Sequence, residues 1–368
     1  MTRFYTLINK INTWFWSRVV ASSHSNIRSL NVFRIILGLF LLLFYSPNYG
    51  WIGKAPKVFF NPPLLSLGIF LDKFPSTTFF QILDILILLC TLFIITGIKA
   101  KISSLSYGIL NIIGLTFQFS FGKIDHTIFI YVMLICLAFS GWGTELALVP
   151  DKKPNSEAPQ KSFSLIAVLL CFAFFTAGFN KAFHWLNFDT SKNGTGFWLY
   201  QGWINLGREY LLVGFVKTLP FWLLKVLDFF AVIFELTPLF FLLYSRKAWH
   251  TWLLVAGVFH FTSLFILNIT FLIHIIIYLA FFDFSIIYDQ AKNIISKKGF
   301  QVAAFIFLAA VFLVRIYDVF NINLSSFLFL PDANILPNLV AAMIVWIFAI
   351  MLLFRNAFLT PPGQRFYK

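Results

Sequence analysis

Long uninterrupted apolar runs separated by short polar segments dominate the 368-residue chain. Ten runs are long enough, some only with their flanks, to cross roughly 30 Å of hydrocarbon. They centre on 30–46, 77–97, 102–121, 124–140, 163–183, 219–243, 249–267, 269–288, 299–316 and 338–354. Apolar positions within each run are continuous rather than alternating, which predicts helices and argues against a porin-like barrel. Only a tight turn at Asn268 and Thr270 can divide the seventh run from the eighth, because no charge lies between them. Ahead of the first run, Phe4, Leu7, Ile8, Ile11, Trp14, Phe15 and Val19 recur at helical spacing, with Arg3, Lys10 and Arg18 between them. That pattern predicts an amphipathic helix lying flat on the membrane surface rather than a signal peptide. The expected fold is therefore all-α: a polytopic membrane helical bundle of about ten transmembrane helices with an N-terminal amphipathic interfacial helix. Its divisions are 1–25 (interfacial helix), 26–360 (transmembrane domain) and 361–368 (short cytoplasmic tail).

Composition strengthens this expectation. Sixty per cent of residues are hydrophobic, fifty are Phe, and only 11% are charged. Ordinary soluble domains are about a quarter charged, so a water-soluble fold of this length could not cover such a surface. The net charge of +14 does not point to nucleic acid, since the basic residues stand singly or in pairs between apolar runs. With the N-terminus inside, seventeen Lys and Arg fall in inside segments and seven in outside loops. By the positive-inside rule both termini face the cytoplasm, the span number is even, and the loop 184–218 faces out. The localisation expected is a bacterial cytoplasmic membrane. Cys90, Cys136 and Cys171 lie inside apolar runs without metal or redox spacing and read as core filler.

The outside loop 184–218 is rich in aromatics, among them Trp185, Phe188, Phe197, Trp198, Tyr200 and Trp203. It fits either an interfacial aromatic belt or a lid over a membrane-facing pocket. Asn193-Gly194-Thr195 and Asn323-Leu324-Ser325 are glycosylation triplets, meaningful only in a eukaryotic secretory pathway.

Ionisable groups inside apolar runs are the best functional pointers, because a charge at mid-bilayer costs at least ~2.5–3.5 kcal/mol. They are Arg34, Asp84, His126, Lys181, Lys225, Asp228, Glu235, His260, His274 and Arg315. Lys225 and Asp228 stand three apart and predict a local ion pair. Arg315 can snorkel, His274 fits a packing role, and Arg34 can tie helix ends or bind lipid headgroups. Lys181 sits near the outer end of its span, where Ala177 and Gly178 allow close helix approach and Asn180 is a polar neighbour. A lysine partly withdrawn from water can act as a base; a snorkelling boundary lysine is the alternative. His126 opens the fourth run on the same predicted side. Glu235 and His260 are expected to meet across an antiparallel helix pair, since a lone carboxylate in hydrocarbon is too costly. Hydrolase, zinc-protease, P-loop and dinucleotide-binding signatures are absent.

The residues carry a resemblance spread over roughly 30–288. Asn31-Val-Phe-Arg34-Ile-Ile-Leu-Gly38 resembles the opening of HTTM (horizontally transferred transmembrane) domains, a family that includes the membrane part of vitamin K-dependent gamma-carboxylase. Asp125-His126 resembles its histidine-led helix, and Ala177-Gly-Phe-Asn-Lys181 its AG-x-x-K segment. Phe234-Glu235, Pro238, Arg246 and His260 resemble the Glu…Pro…Arg…His run that follows. The resemblance implies Lys181 as the base that deprotonates a membrane quinol, His126 assisting, and Glu235, His260, Asn180 and Arg34 as a supporting polar pocket, at the extracytoplasmic face. Asn180 stands where the carboxylase has a second lysine, and no region matches its large lumenal substrate-docking part. The implied function is a quinol-dependent enzyme modifying a peptide or small substrate. A non-catalytic accessory, peptide-maturation or immunity protein is the alternative, with a secreted peptide as partner. A transporter is the third, without the repeat symmetry such folds use.

Overall fold

The computed structural model describes residues 2–46, 48–64, 66–122, 126–153, 158–321 and 335–359. Asp125, the triplet at 323–325 and the tail 361–368 lie outside them. The helices in chain order are α1 Thr2–Ser23, α2 Ile27–Phe44, α3 Thr77–Thr96, α4 Ala100–Gln118, α5 Ile128–Ala138, α6 Ala158–Trp185, α7 Gly194–Leu206, α8 Val213–Val216, α9 Phe221–Leu236, α10 Pro238–Tyr244, α11 Arg246–Leu267, α12 Leu272–Leu279, α13 Tyr288–Ser296, α14 Lys298–Asn321 and α15 Ile335–Phe354. Among the described residues there is no strand, only an isolated bridge between Ile98 and Val149.

Among the described residues, seven helical segments are long and apolar enough to cross a membrane, and nine if each of two broken pairs counts as one span. The protein is thus a multi-pass helical membrane protein. Each expected run contains helix, but the eighth forms only the eight residues of α12 before the chain turns, and the fourth too is shorter than its apolar stretch. It forms only the eleven residues of α5, about 16 Å at 1.5 Å per residue, which falls short of the hydrocarbon thickness. The chain leaves the helix at Phe139 and turns through Ser140 and Gly141, which has φ +81°. The sixth run breaks at Pro238, whose missing N–H opens α10 at an angle of 44° to α9. The tight turn after α11 is real. Asn268 takes a left-handed conformation (φ +51°), and its side chain accepts from Tyr210 N at 2.9 Å and donates to Tyr210 O at 3.1 Å.

The chain divides into two compact units. One contains α1, most of α6, α7 to α12 and α15. In it Trp249, Trp252 and Trp346 are fully enclosed, and Trp249 stacks on Trp252 with centroids 5.4 Å apart. The amphipathic pattern of α1 does form a helix. Arg18 near its end donates from Nε to Leu243 O at 2.9 Å and from Nη2 to Tyr244 O, capping α10. Phe4, Leu7, Ile11 and Trp14 remain exposed along it.

The other unit contains α2 to α5, α13 and α14, with Leu42, Leu88, Ile95, Val311 and Val319 in one core cluster. Two cations inside it follow the same logic as Arg18. Arg34 is fully buried and donates to Trp142 O, Ile94 O, Ile95 O, Glu145 O and Leu146 O. Arg315 donates to Leu42 O at 3.0 Å and Leu43 O at 3.2 Å. Each guanidinium meets the orphan carbonyls and negative dipole end of a helix, α3 and α2 respectively. The buried carboxylate Asp84 does the converse, accepting from Tyr49 N and Gly50 N at 2.9–3.1 Å where a short 3-10 turn begins.

Candidate functional site

The site grows from one close helix approach. A Cβ on Gly178 of α6 would stand 2.8 Å from the Glu235 Cβ, so only glycine lets α6 lie this near to α9. Three residues on from Gly178, the Lys181 amine reaches Glu235 Oε1 in a salt bridge. The Lys181 side chain keeps 28% of its surface exposed, whereas that of Glu235 keeps 6%. Trp185, one turn beyond, places its ring 5.1 Å from Lys181 Nζ, a cation–π contact. The second carboxylate oxygen, Glu235 Oε2, is buried and accepts no hydrogen bond within the described residues. An anionic oxygen in that condition is expensive unless something is meant to meet it.

The loop after α6 is held by a second buried pair. Lys225 and Asp228 of α9 form the expected (i, i+3) bridge at 3.4 Å, but each does more. Asp228 accepts from Gly194 N at 2.9 Å and from Thr195 N and Oγ1 at 2.7 Å, seating a carboxylate on the N-terminus of α7. Lys225 donates to Trp185 O at 3.1 Å and to Lys192 O. Gly194 in turn lies flat on the Trp185 indole, where a Cβ would enter the ring. The triplet residue Asn193 is spent as the α7 cap: its Oδ1 accepts from Gly196 N at 2.6 Å and its Nδ2 donates to Phe221 O. Outside the spans, Asp189 in the same loop is held below the ordinary carboxylate range, chiefly by hydrogen bonds from Ser191.

The expected meeting of Glu235 with His260 is not what forms. Both are buried as anticipated, but the carboxylate takes the charged lysine that Gly178 brings within reach. His260 instead contacts Ala256 O at 2.9 Å and Tyr278 at 3.1 Å through Nδ1. Its ring stacks on His274, with centroids 4.4 Å apart. Of the other residues singled out in the sequence, Asn180 is exposed next to Lys181. Arg34 and His126 belong to the other unit. The guanidinium of Arg34 donates to main-chain carbonyls there; His126 is exposed at the turn leading into α5. Trp185, Asp228 and Tyr278 were not singled out as part of the site. Trp185 had a signal in its helical (i, i+4) spacing from Lys181, and Asp228 in its (i, i+3) spacing from Lys225. No group of three or more His, Cys, Asp or Glu among the described residues could hold a metal.

Comparison of the chain with protein-family models, curated proteins and solved structures finds no match.

Proposed function

We propose that this membrane protein works by acid–base chemistry at Lys181 and Glu235, on the HTTM pattern. Its substrate is the hydroxyl of a membrane quinol or related lipid-soluble reductant, in service of modifying a peptide or small molecule at the extracytoplasmic face. The observation that carries this is the pairing of a part-exposed amine with a buried carboxylate that still has a vacant acceptor oxygen. A proton passed from Lys181 Nζ to Glu235 Oε1 conserves charge and leaves a neutral amine, which can take a proton from a neighbouring hydroxyl. The surrounding apolar residues limit competition from water. A quinol, when bound, would supply the reducing equivalents.

The competing role is a helix clamp in a non-catalytic accessory protein, which the same bridge between α6 and α9 would serve. Lys181→Arg separates the two. Arginine retains the charge and the bridge, but with a pKa above ~12 it cannot act as a base. The variant should insert normally and fail to complement a deletion strain. Full complementation would establish the clamp and end the catalytic role.

A further inference from the structure

The outer half of α6 is open over most of its circumference, although it belongs to a membrane-spanning helix. From Phe172 to Trp185 only Phe174 and Gly178 are buried. Two columns run along this open surface. Phe175, Phe179 and Phe183 form an exposed aromatic ladder, with successive ring centroids 5.4 and 5.0 Å apart. Thr176, Asn180 and His184, each four residues from the next, form an exposed polar column beside it. At about 100° per residue the polar column falls between the aromatic ladder and Lys181, with the small Ala177 at its border. Thr176 Oγ1 donates to Ala173 O at 2.9 Å, whereas the Asn180 amide and the His184 ring make no hydrogen bond among the described residues. Along the axis, Asn180 lies about 8 Å and Thr176 about 14 Å short of the end of α6. An amide left against hydrocarbon is costly, so the column marks where a polar group meets the helix from outside.

We propose that this face of α6 docks one membrane quinol, with its ring and tail along the aromatic ladder and one of its oxygens on the Asn180 amide. The two columns match the two parts of such a molecule. Flat rings stack on aromatic side chains, and an amide can accept from a quinol hydroxyl and donate to its oxygen. Charge favours a neutral polar end. Lys181 is matched by Glu235, and Lys192 in the loop beyond by Asp189. Neither lysine is left to draw a lipid phosphate. Because the column borders Lys181, a hydroxyl docked there approaches the amine along the helix surface. Asn180 is a specificity-determining residue and takes no proton itself. The proposal deepens the acid–base assignment and rests on it for the fate of the quinol, while docking is read without turnover.

Photo-labelling of the full chain in phosphatidylcholine nanodiscs tests it. One probe is a benzohydroquinone with a diazirine in its alkyl tail, and the control is a phosphatidylcholine with the same diazirine tail. Mass spectrometry should place the quinol probe on α6 between residues 172 and 183, and excess unlabelled decyl benzohydroquinone should displace it. Asn180→Leu, on an exposed helix position and close in size, removes the hydrogen-bonding group and should lower this labelling about tenfold. Asn180→Gln, which keeps an amide, should retain most of it. Equal labelling by the two probes, or labelling indifferent to Asn180→Leu, would show ordinary lipid contact and overturn the site. No label on α6 from either probe is the result expected of a face bathed in water, and it too would overturn the site. Complementation by Lys181→Arg would instead remove the catalytic assignment while leaving the labelling in place.

Discussion

Buried charge in this protein is handled by main-chain groups at least as often as by other side chains. Arg34 and Arg315 each donate to carbonyls at the end of a helix, as the exposed Arg18 also does, and Lys225 does so at the end of α6. Asp84 and Asp228 accept from amides at the start of one. The Lys225–Asp228 pair has the most to lose from a single substitution. Asp228→Ala frees three donors on α7 and leaves a buried ammonium without its counter-charge, which should cost about 3–5 kcal/mol. Lys225→Met in the same chain removes the stranded charge and should recover part of that loss. Thermal unfolding of the two variants in one detergent measures both, and equal destabilisation would show that Lys225 is neutral to the effect. The pair was legible as an (i, i+3) spacing in the sequence. Its attachment to Gly194 and Thr195 was not, because a carboxylate thirty-odd residues away leaves no local pattern at the helix it caps.

At the scale of elements, helix ends decide where the runs break. Asn268 was read from the sequence as the turn between two runs, and it is one; the break at Pro238 falls inside a run, 219–243, that was read as continuous. The junction after α1 adds a pH-sensitive fastening. Arg246 Nη1 at the start of α11 donates to His24 O at 2.9 Å and stands 3.3 Å from His24 Nδ1. Burial first, and the Arg246 charge second, hold the His24 imidazole below its ordinary pKa. A base whose pKa is lowered by folding binds protons better unfolded, so stability falls as pH drops below the ordinary value of about 6.5. Above that value the fastening is unaffected. The unfolding midpoint should therefore decline from pH 7 toward pH 5, less so in His24→Gln, which cannot charge. Identical slopes for the two proteins would show that His24 does not contribute.

For the molecule as a whole, orientation rests on the distribution of cations between loops. Seventeen inside against seven outside predicts that Lys192, in the loop after α6, faces the extracytoplasmic side. A Lys192→Cys variant in a chain whose three native cysteines are replaced should react with a membrane-impermeant maleimide in intact cells. Labelling only after the membrane is opened would reverse the assigned topology. The exposed apolar side of α1, from Phe4 to Trp14, belongs to the same frame: it would bury its aromatic residues in the cytoplasmic interface if that topology holds.

The sequence by itself determined the class of solvent and the class of fold. Apolar runs too long and too numerous for a soluble core must meet lipid, and of the two structures that satisfy backbone in lipid, helix and closed barrel, continuous rather than alternating apolar runs select the helix. It also determined which ionisable residues are out of place, since the energetic penalty depends on residue type and depth alone. Which partner each of them takes was decided only by the tertiary structure. On paper Glu235 was expected to meet His260, whereas in the structure it pairs with Lys181. The absent side chain of Gly178 settled the choice, by letting α6 approach α9 closely enough for an ammonium to arrive first. Pairing across helices depends on distances of an ångström or two between segments tens of residues apart, and helical periodicity carries no record of those.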